Sequence, residues 1–468
     1  MQQQNKPTIS LWGALIPVII LVILLSFNVT IYGDDALGGS NQFILLIGAA
    51  VAAVVGFRNK VSYDSMLDAI GSNLKSTTGA ILILLFVGAL AGTWLLSGII
   101  PAMIYYGLQI LHPSIFLPAC IIICAIISIA TGSSWTTSAT VGIALIGIGR
   151  ALDIPVGMVA GAVISGAYFG DKLSPLSDTT NLAPAMAGSD LFTHIKYMTH
   201  TTVPSIIITM IVFLILGFFQ NTSGAADTDV LLTSIKGSFT INLWLFVVPI
   251  LVIFLIIKKT PPLAALLAGT LLGGLFALIF QPDIVSKIAG ANVLSPTTAY
   301  QGVMNAIISD ISITTSNDLL NELFSSGGMK GMLGTIWLII CAMVFGGIMD
   351  AIGGLKKLSN SMLSIAQSTF QLFASTAASC VVINLTASDQ YLSIVLPGKM
   401  FNKAFADKDL APENLSRTLE DAGTVTSVLI PWNTCGAYQS GVLGVGVGEY
   451  FIYAIFNWLS PIMTLIYA

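Results

Sequence analysis

Charged residues are scarce in this 468-residue sequence, and their scarcity excludes a soluble globular protein. Aspartate, glutamate, lysine and arginine together account for 9% of the chain, whereas hydrophobic residues account for 55%. Soluble domains carry roughly 25% charged residues. The composition therefore predicts a chain that lies in a lipid bilayer, and the net charge of -4 says little about its partners.

Several motifs of enzymes and binding proteins are also missing. The sequence contains no Cys/His metal-binding spacing, no phosphate-binding loop, no nucleophile elbow and no dinucleotide fingerprint. Its five cysteines are odd in number and lie in or beside apolar stretches, which argues against a disulfide framework. We therefore expect a protein that is not an enzyme, carries no cofactor and binds no nucleic acid.

Long apolar runs are abundant. A helix of about 20 apolar residues crosses a bilayer, and eight runs approach that length, at 11–31, 42–57, 77–97, 114–130, 199–219, 241–257, 262–281 and 331–349. Shorter runs, several interrupted by glycine or proline, lie at 99–111, 139–150, 155–169, 372–383, 391–402, 422–436 and 451–466. Because every backbone amide in the hydrocarbon needs an internal partner, helices are expected. The sequence predicts an all-α polytopic membrane protein.

The distribution of basic residues predicts an orientation. Lysine and arginine collect in cytoplasmic loops, and loop 57–76 contains three of them, whereas loop 32–41 contains two aspartates and no base. We therefore expect a multi-pass protein of the inner or plasma membrane with a cytoplasmic N-terminus. The orientation of the second half stays open, because Arg150 and the basic residues of 399–417 cannot both be cytoplasmic if the halves are inverted.

A loose internal repeat appears when the polar interruptions of the apolar runs are aligned. Two polar kinks about forty residues apart occur within 130–188 and again within 384–441, displaced by 250 to 254 positions. Matching broken segments in two halves point to a transporter site at the membrane midplane. We predict two inverted repeats, organised as N-terminal spans at 1–60, a first repeat at 61–220, linking spans and an extramembrane segment at 221–330, and the remainder of the second repeat at 331–468.

The candidate cation- and proton-binding residues are the four aspartates at these kinks, Asp171, Asp178, Asp389 and Asp421. A carboxylate inside a membrane span is costly, and such residues usually line a pathway or take up protons. Desolvation favours the protonated acid, whereas a bound cation favours the carboxylate. One carboxyl group can therefore hold a proton and a sodium ion in turn. The alternative is a structural salt bridge, with Lys172 among the candidate partners.

Hydroxyl and amide side chains surround the four acids. Oxygen ligands suit small hard cations, and we predict a sodium site at Asp171, Asp178, Thr179 and Asn181. The remaining candidate ligands are Ser133, Ser134, Thr136, Thr137, Ser177, Thr180, Thr386, Ser388, Thr424, Thr426, Asn433 and Thr434. The alternative for the hydroxyl groups is a hydrogen bond to a carbonyl of their own helix.

These stretches carry a resemblance to a known family. The sequence "GAYFGDKLSPLSDTTNLAPAMAG" (166–188), preceded by "ATGSSWTTSATVG" (130–142), is similar to the NhaC group of sodium/proton antiporters, and "LEDAGTVTSVLIPWNTCGAY" (419–438) agrees with it. The resemblance covers nearly the whole chain. It implies two inverted repeats, each with a re-entrant hairpin and a discontinuous helix, a scaffold domain, a moving transport domain and a homodimer. On this resemblance the hairpin tips fall at 132–138 and 386–391, and the helix breaks at 170–181 and 421–434.

Two functions stay open at this point. The first is antiport of Na+ and H+ by membrane-embedded aspartates that bind the two ions alternately. The second is exchange of organic acids coupled to Na+ and H+, because the resemblance includes proteins that exchange malate for lactate. Only three arginines occur, and none falls inside a kink, whereas four acids do. This balance favours a cation site over an anion site, and the first function over the second.

Overall fold

The computed structural model of the protein describes residues 9–32, 38–110, 112–219, 228–315 and 318–468. Within these ranges, eight helices are long and apolar enough to cross a membrane. They are α1 (Leu11–Tyr32), α2 (Ser40–Arg58), α3 (Tyr63–Leu96), α5 (Pro113–Thr131), α10 (Leu191–Phe219), α13 (Pro262–Phe280), α18 (Leu333–Ala351) and α20 (Thr369–Ala387). The prediction of an all-α, multi-pass membrane protein is confirmed.

Shorter elements fill the intervals. The remaining helices are α4 (Ile99–Ile110), α6 (Ser134–Thr137), α7 (Ile143–Ala151), α8 (Val156–Leu173), α9 (Asp178–Ala187), α11 (Thr228–Ser238), α12 (Val247–Ile257), α14 (Pro282–Ile288), α15 (Pro296–Ile308), α16 (Asp318–Leu323), α17 (Gly328–Gly331), α19 (Gly354–Ser364), α21 (Gln390–Ala406), α22 (Pro412–Leu419), α23 (Thr434–Leu443), α24 (Val447–Tyr450) and α25 (Ile455–Ile466). The chain bends by 86° between α11 and the segment that ends in α12, so a ninth span exists if this pair is counted as one. The strands β1 (Ile311–Ser312) and β2 (Ser325–Ser326) pair antiparallel.

Close packing on α3, the longest helix of the described chain, involves small residues. A Cβ atom at Gly92 would lie 1.8 Å from the carbonyl oxygen of Ala306, and one at Gly88 would lie 2.2 Å from that of Gly328. Glycine at these positions lets neighbouring backbones approach. Short helices within 221–330, the range predicted to hold linking spans and an extramembrane segment, thus pack directly against α3.

Two basic turns lie at one end of the helix bundle. Gly56, near the end of α2, packs against Ile352, just after α18. The turns that follow α2 and α18 therefore share an end, and the basic residues in or beside them are Arg58, Lys60, Lys356 and Lys357. Lys258 and Lys259 follow α12, and Lys259 lines a cavity with Ser76, further along α3.

Two helix–turn–helix units have the same turn geometry. In the first, Gly132 ends α5 in the left-handed conformation, with φ of 69°, and the side chain of Ser133 caps α6. In the second, Ser388 ends α20 with φ of 59°, and the side chain of Asp389 caps α21. A left-handed residue followed by a capping residue ends one helix and starts the next within two positions. The turns lie inside the predicted tips at 132–138 and 386–391, and equivalent residues are 256 positions apart.

The first broken helix runs from α8 into α9. Its interruption covers only residues 174–177, which is narrower than the predicted break at 170–181, and the side chain of Ser177 caps α9. Asp171 therefore lies in the last turn of α8, and Asp178 is the first residue of α9. The hydroxyl of Ser174 donates to the carbonyl of Ile129 in α5 at 2.8 Å, which holds the break against the first turn.

The second broken helix is more distorted. After α22 the backbone forms a π-helical turn at Glu420–Thr424 and a 3-10 turn at Ser427–Leu429, and Asn433 caps α23. Asn433 lies 256 positions after Ser177, the spacing of the two turns. This register pairs Asp171 with Ser427, and not with Asp421 as the sequence alignment at 250 positions suggested.

Candidate functional site: a cavity at the first helix break

A cavity of about 680 Å³ lies between the first turn and the first helix break. The middle of α3, the turn before α13 and the start of α21 complete its wall. Its polar lining consists of two acids, one lysine, hydroxyl groups and one amide, from Ser76, Thr131, Ser133, Thr136, Asp171, Ser177, Asp178, Thr179, Lys259, Thr260, Gln390 and Tyr391.

Asp171 joins the helix break to the turn. Its side chain is 9% exposed and lines the cavity. The carboxylate oxygen Oδ2 accepts hydrogen bonds from the backbone N–H of Ser134, at 3.1 Å, and from its hydroxyl, at 2.7 Å. These donors lie at the start of the helical segment after the turn, where free amides and the helix dipole favour a negative charge. The fold therefore stabilises a buried carboxylate at the cavity wall.

Asp178 reaches the same cavity from the other side of the break. It is exposed, and two neighbouring acids in one cavity repel each other unless a proton or a cation lies between them. Thr179 also lines the cavity, and its hydroxyl lies 3.2 Å from that of Ser177. Three of the four predicted sodium ligands thus face one space.

Asn181, the fourth predicted sodium ligand, is not part of the cavity lining. Its Nδ2 donates to the carbonyls of Pro175, at 2.9 Å, and Ser177, at 2.7 Å. The amide thus supplies hydrogen bonds to two backbone carbonyl groups in the interruption between α8 and α9. The hydroxyl of Thr180 has a similar role, because it donates to the carbonyls of Asp171 and Lys172, both at 3.2 Å.

The predicted ligands of the first turn have mixed roles. Ser133 and Thr136 line the cavity, although their hydroxyls also bond to each other at 3.1 Å. Ser134 contacts Asp171, as described above. Thr137 is outside the lining and donates to the carbonyl of Ser133 at 2.9 Å, the alternative expected for such hydroxyls.

The second-half acids are placed differently. Asp389 is buried, and its Oδ1 accepts the N–H of Leu392 at 2.9 Å as the cap of α21. Asp421 is fully buried, forms an ion pair with Lys172 and accepts a hydrogen bond from Thr464. Neither acid lines the cavity at the first break. Lys172 therefore does not pair with its neighbour Asp171, the alternative considered from the sequence.

The second-half amides and hydroxyls form a buried network. Nδ2 of Asn384 donates to the carbonyl of Gly423, at 2.7 Å, and to the hydroxyl of Thr426, at 3.1 Å. Nδ2 of Asn433 donates to the carbonyl of Asn384 at 3.1 Å, and the N–H of Thr434 donates to the carbonyl of Ser388 at 3.0 Å. These contacts fix the second break against the second turn.

The other three predicted hydroxyl ligands of the second half also lie away from the cavity. The hydroxyl of Thr386 donates to the carbonyl of Val382 at 2.7 Å. Those of Ser388 and Thr424 are buried without a hydrogen-bond partner in the described part of the chain. The second turn contributes to the cavity instead through Gln390 and Tyr391, two residues that were not predicted.

An aromatic pair, Trp135 and Tyr438, lies at the wall of the cavity. Trp135 lines the cavity, and its ring stacks on that of Tyr438 with a centroid distance of 4.1 Å and an interplanar angle of 17°. The hydroxyl of Tyr438 donates to the carbonyl of Trp135 at 3.0 Å. A smaller cavity of about 230 Å³, lined by Arg150 and Gly441, lies further along α3 at Leu95. The aromatic pair connects the turn after α5 with α23, between these two spaces.

Comparison with known proteins identifies the family of the chain. The sequence profile of the Na+/H+ antiporter family matches residues 166–468. The chain is 39% identical to the Na+/H+ antiporter NhaC of Alkalihalophilus pseudofirmus, over 90% of this chain and 88% of that protein. It is 38% identical to the malate-2H+/Na+-lactate antiporter of Bacillus subtilis, over 94% and 90% of the two chains. It is 34% identical to the arginine/ornithine antiporter ArcD of Halobacterium salinarum, over 97% and 90%.

These relatives differ in what they carry, but each is named as an antiporter. The matched region includes the first helix break and the whole second half. The resemblance seen in the sequence is confirmed, and the protein is a transporter rather than an enzyme. The chain belongs to the Na+/H+ antiporter family and is a secondary transporter with many membrane-spanning helices.

Proposed function

We propose that the protein exchanges Na+ for H+ and that Asp171 and Asp178 bind the two ions alternately. The observation that carries the proposal is the position of both carboxyl groups in one cavity, at the break between α8 and α9. A cation between the two carboxylates removes their repulsion, and protonation does the same. Binding of one ion therefore excludes the other, which is the requirement for exchange.

The cavity supplies further oxygen ligands for Na+. The hydroxyls of Ser133, Ser177 and Thr179 line it beside the two acids. Sodium, a small hard cation, prefers such oxygen atoms. Asn181 is not included in this proposed ligand set, because its amide nitrogen bridges the broken backbone.

Alternating access is the mechanism that we propose for this exchange. The shared 256-residue register of turns and caps supports a pair of repeats. The two helix–turn–helix units end at opposite ends of the bundle, which supports an inverted relation between them. Arg150, at the end of the first unit, lies near Leu95 in the late part of α3. Lys408, at the end of the second, donates to the carbonyl of Gln367 just after α19, which follows the basic end of α18. We propose that the basic end is cytoplasmic and that the cavity opens there.

Exchange of organic acids is the second candidate. The cavity volume of about 680 Å³ exceeds what one Na+ requires, and Lys259 provides a positive charge at its edge. The malate-2H+/Na+-lactate antiporter among the relatives is consistent with this use of the space. The two acids of the cavity wall oppose it, because they repel a carboxylate unless both carry protons or Na+.

Transport by purified protein in liposomes that contain a pH indicator distinguishes the two candidates. Sodium is added outside the liposomes under four conditions. These are no organic acid, malate alone on one side of the membrane, lactate alone on the other side, and both acids on their respective sides. We expect the interior to become more alkaline without any organic acid, because Na+ that enters exchanges for H+ that leaves. A response that requires both acids would replace antiport of Na+ and H+ by acid exchange. Arginine and ornithine are tested in a further pair of liposomes, because one relative exchanges them.

A further inference from the structure

Glu420 is a buried acid that the proposed sodium site does not use, although it lies in the stretch 419–438 that carries the family resemblance. It begins the π-helical turn of the second broken helix, and its side chain has 0% exposure. Both carboxylate oxygens are buried without a hydrogen-bond partner among the described residues. An isolated carboxylate in such surroundings carries a large desolvation cost, which protonation removes. The geometry therefore favours a neutral carboxylic acid at this position.

The charged groups around Glu420 pair with one another rather than with Glu420. The groups that act on it are the hydroxyl of Thr424, in the same π-helical turn, and the charges of Lys172, Asp171 and Asp421. The ammonium group of Lys172 is paired with Asp421, so it is not available as a direct partner of Glu420. On α20, the buried thiol of Cys380 faces the acid. No positive charge in the described chain neutralises Glu420.

Charged residues on the other helices that pack against the π-helical turn contact groups other than Glu420, or are exposed. On α22, the guanidinium of Arg417 lies over the rings of Tyr197, at 5.2 Å, and Phe373, at 5.6 Å. Glu413, on the same helix, accepts a hydrogen bond from Ser189 at 3.0 Å. Asp178 of α9 is exposed. Asp389, at the start of α21, accepts the capping hydrogen bond of that helix. Thr464, on α25, donates a hydrogen bond to Asp421.

We propose that Glu420 is a second proton-binding carboxyl group of the transport cycle, separate from the sodium site. This proposal deepens the proposed antiport and rests on it for the role in transport. In the state described here Glu420 holds its proton. In the opposite state the Lys172–Asp421 pair opens to water on the other side, so that water hydrates Asp421, Lys172 stabilises the Glu420 carboxylate, and the Glu420 proton leaves to that water. On return to the described state Lys172 pairs again with Asp421 and Glu420 takes up a proton from the first side, so each cycle restores every charge and moves one proton across the membrane.

Infrared spectroscopy of the purified protein tests the protonation state without any transport. We expect the carbonyl stretch of a protonated carboxyl group near neutral pH, and its loss in Glu420→Gln. Glu413→Gln is the matched control, because it removes an acid of the same helical segment that has a hydrogen-bond donor. If the band is the same in the wild type and in Glu420→Gln, Glu420 is ionised and the proposal is overturned. Glu420→Asp provides a second variant, in which the band shifts in frequency, should the glutamine variant fail to fold.

Transport in liposomes then tests the role in the cycle. We expect Glu420→Gln to keep uptake of Na+ but to move fewer protons for each Na+, whereas Glu413→Gln keeps the wild-type ratio. Equal loss of Na+ and H+ movement in Glu420→Gln would indicate a structural role and reject the second proton site. If the wild type shows no response to Na+, the proposed antiport fails, and the infrared band still decides whether Glu420 is protonated.

Discussion

The two helix breaks both end in a residue that caps the next helix, Ser177 and Asn433, but they place their charges in different environments. At the first break, Asp171 and Asp178 face a cavity. At the second break, Asp421 is enclosed with a lysine, and Glu420 is enclosed without a partner. Equivalent positions therefore have different chemistry, because Asp178 corresponds to Thr434 in the 256-residue register. The comparison teaches that one backbone design can serve an accessible ion site in one half and a buried charge network in the other.

The largest expected effect tests the accessible break. Asp171→Asn should reduce transport by at least about 100-fold, because removing one charged partner of a buried ion costs roughly 3–5 kcal/mol and about 1.4 kcal/mol corresponds to a factor of ten. Sodium-driven pH change in liposomes measures it. Asp389→Asn is the matched control from the second turn, where the amide oxygen still accepts the capping bond. Normal transport by Asp171→Asn would remove the proposed site from the first break.

The buried pair of the second break predicts a loss of stability. Lys172→Ala leaves Asp421 buried without its counter-charge and should lower the free energy of unfolding by about 3–5 kcal/mol. Thermal unfolding in detergent measures the change. The double variant Lys172→Ala/Asp421→Ala should recover part of the loss, because it removes both charges. An unchanged unfolding temperature in Lys172→Ala would mean that the pair contributes no stability.

A smaller effect distinguishes two serines in the turn regions. Ser134→Ala removes one donor to Asp171, and hydrogen bonds to charged groups contribute about 1.5–3 kcal/mol. We expect the apparent KM for Na+ to rise roughly 10-fold. Ser388→Ala removes a hydroxyl without a partner in the described chain and should leave transport unchanged. The same KM in both variants would contradict the role of Ser134 in holding Asp171.

The smallest effect concerns an exposed acid outside the spans. Asp190 precedes α10, and the backbone N–H and hydroxyl of Thr193, with the N–H of Phe192, lower its pKa. Its stabilising contribution is therefore present above the pKa of the unfolded chain and is lost as pH falls through the folded pKa. Asp190→Ala should slightly lower the unfolding temperature near neutral pH, with a smaller difference in acid. A constant difference across this range would show that ionisation of Asp190 is irrelevant to the cap.

Much of this arrangement could be predicted from local sequence. Apolar runs locate the spans, and the Gly132–Ser133 pair signals one helix end and one helix start. The Lys172–Asp421 pair could not be predicted in the same way, because it joins residues 249 positions apart. Adjacent residues of a helix also point about 100° apart, so Asp171 and Lys172 reach different surroundings. Burial of Glu420 depends on five packed helices, and no local pattern encodes it.

The Lys172–Asp421 pair also has an evolutionary consequence. In the 256-residue register, Lys172 corresponds to Val428 and Asp421 corresponds to Ser165. The ion pair therefore exists once, between unlike partners, although the turns and caps around it exist twice. A duplicated first half would place serine opposite Lys172, and a duplicated second half would place valine opposite Asp421. The two halves are therefore complementary at this contact rather than interchangeable.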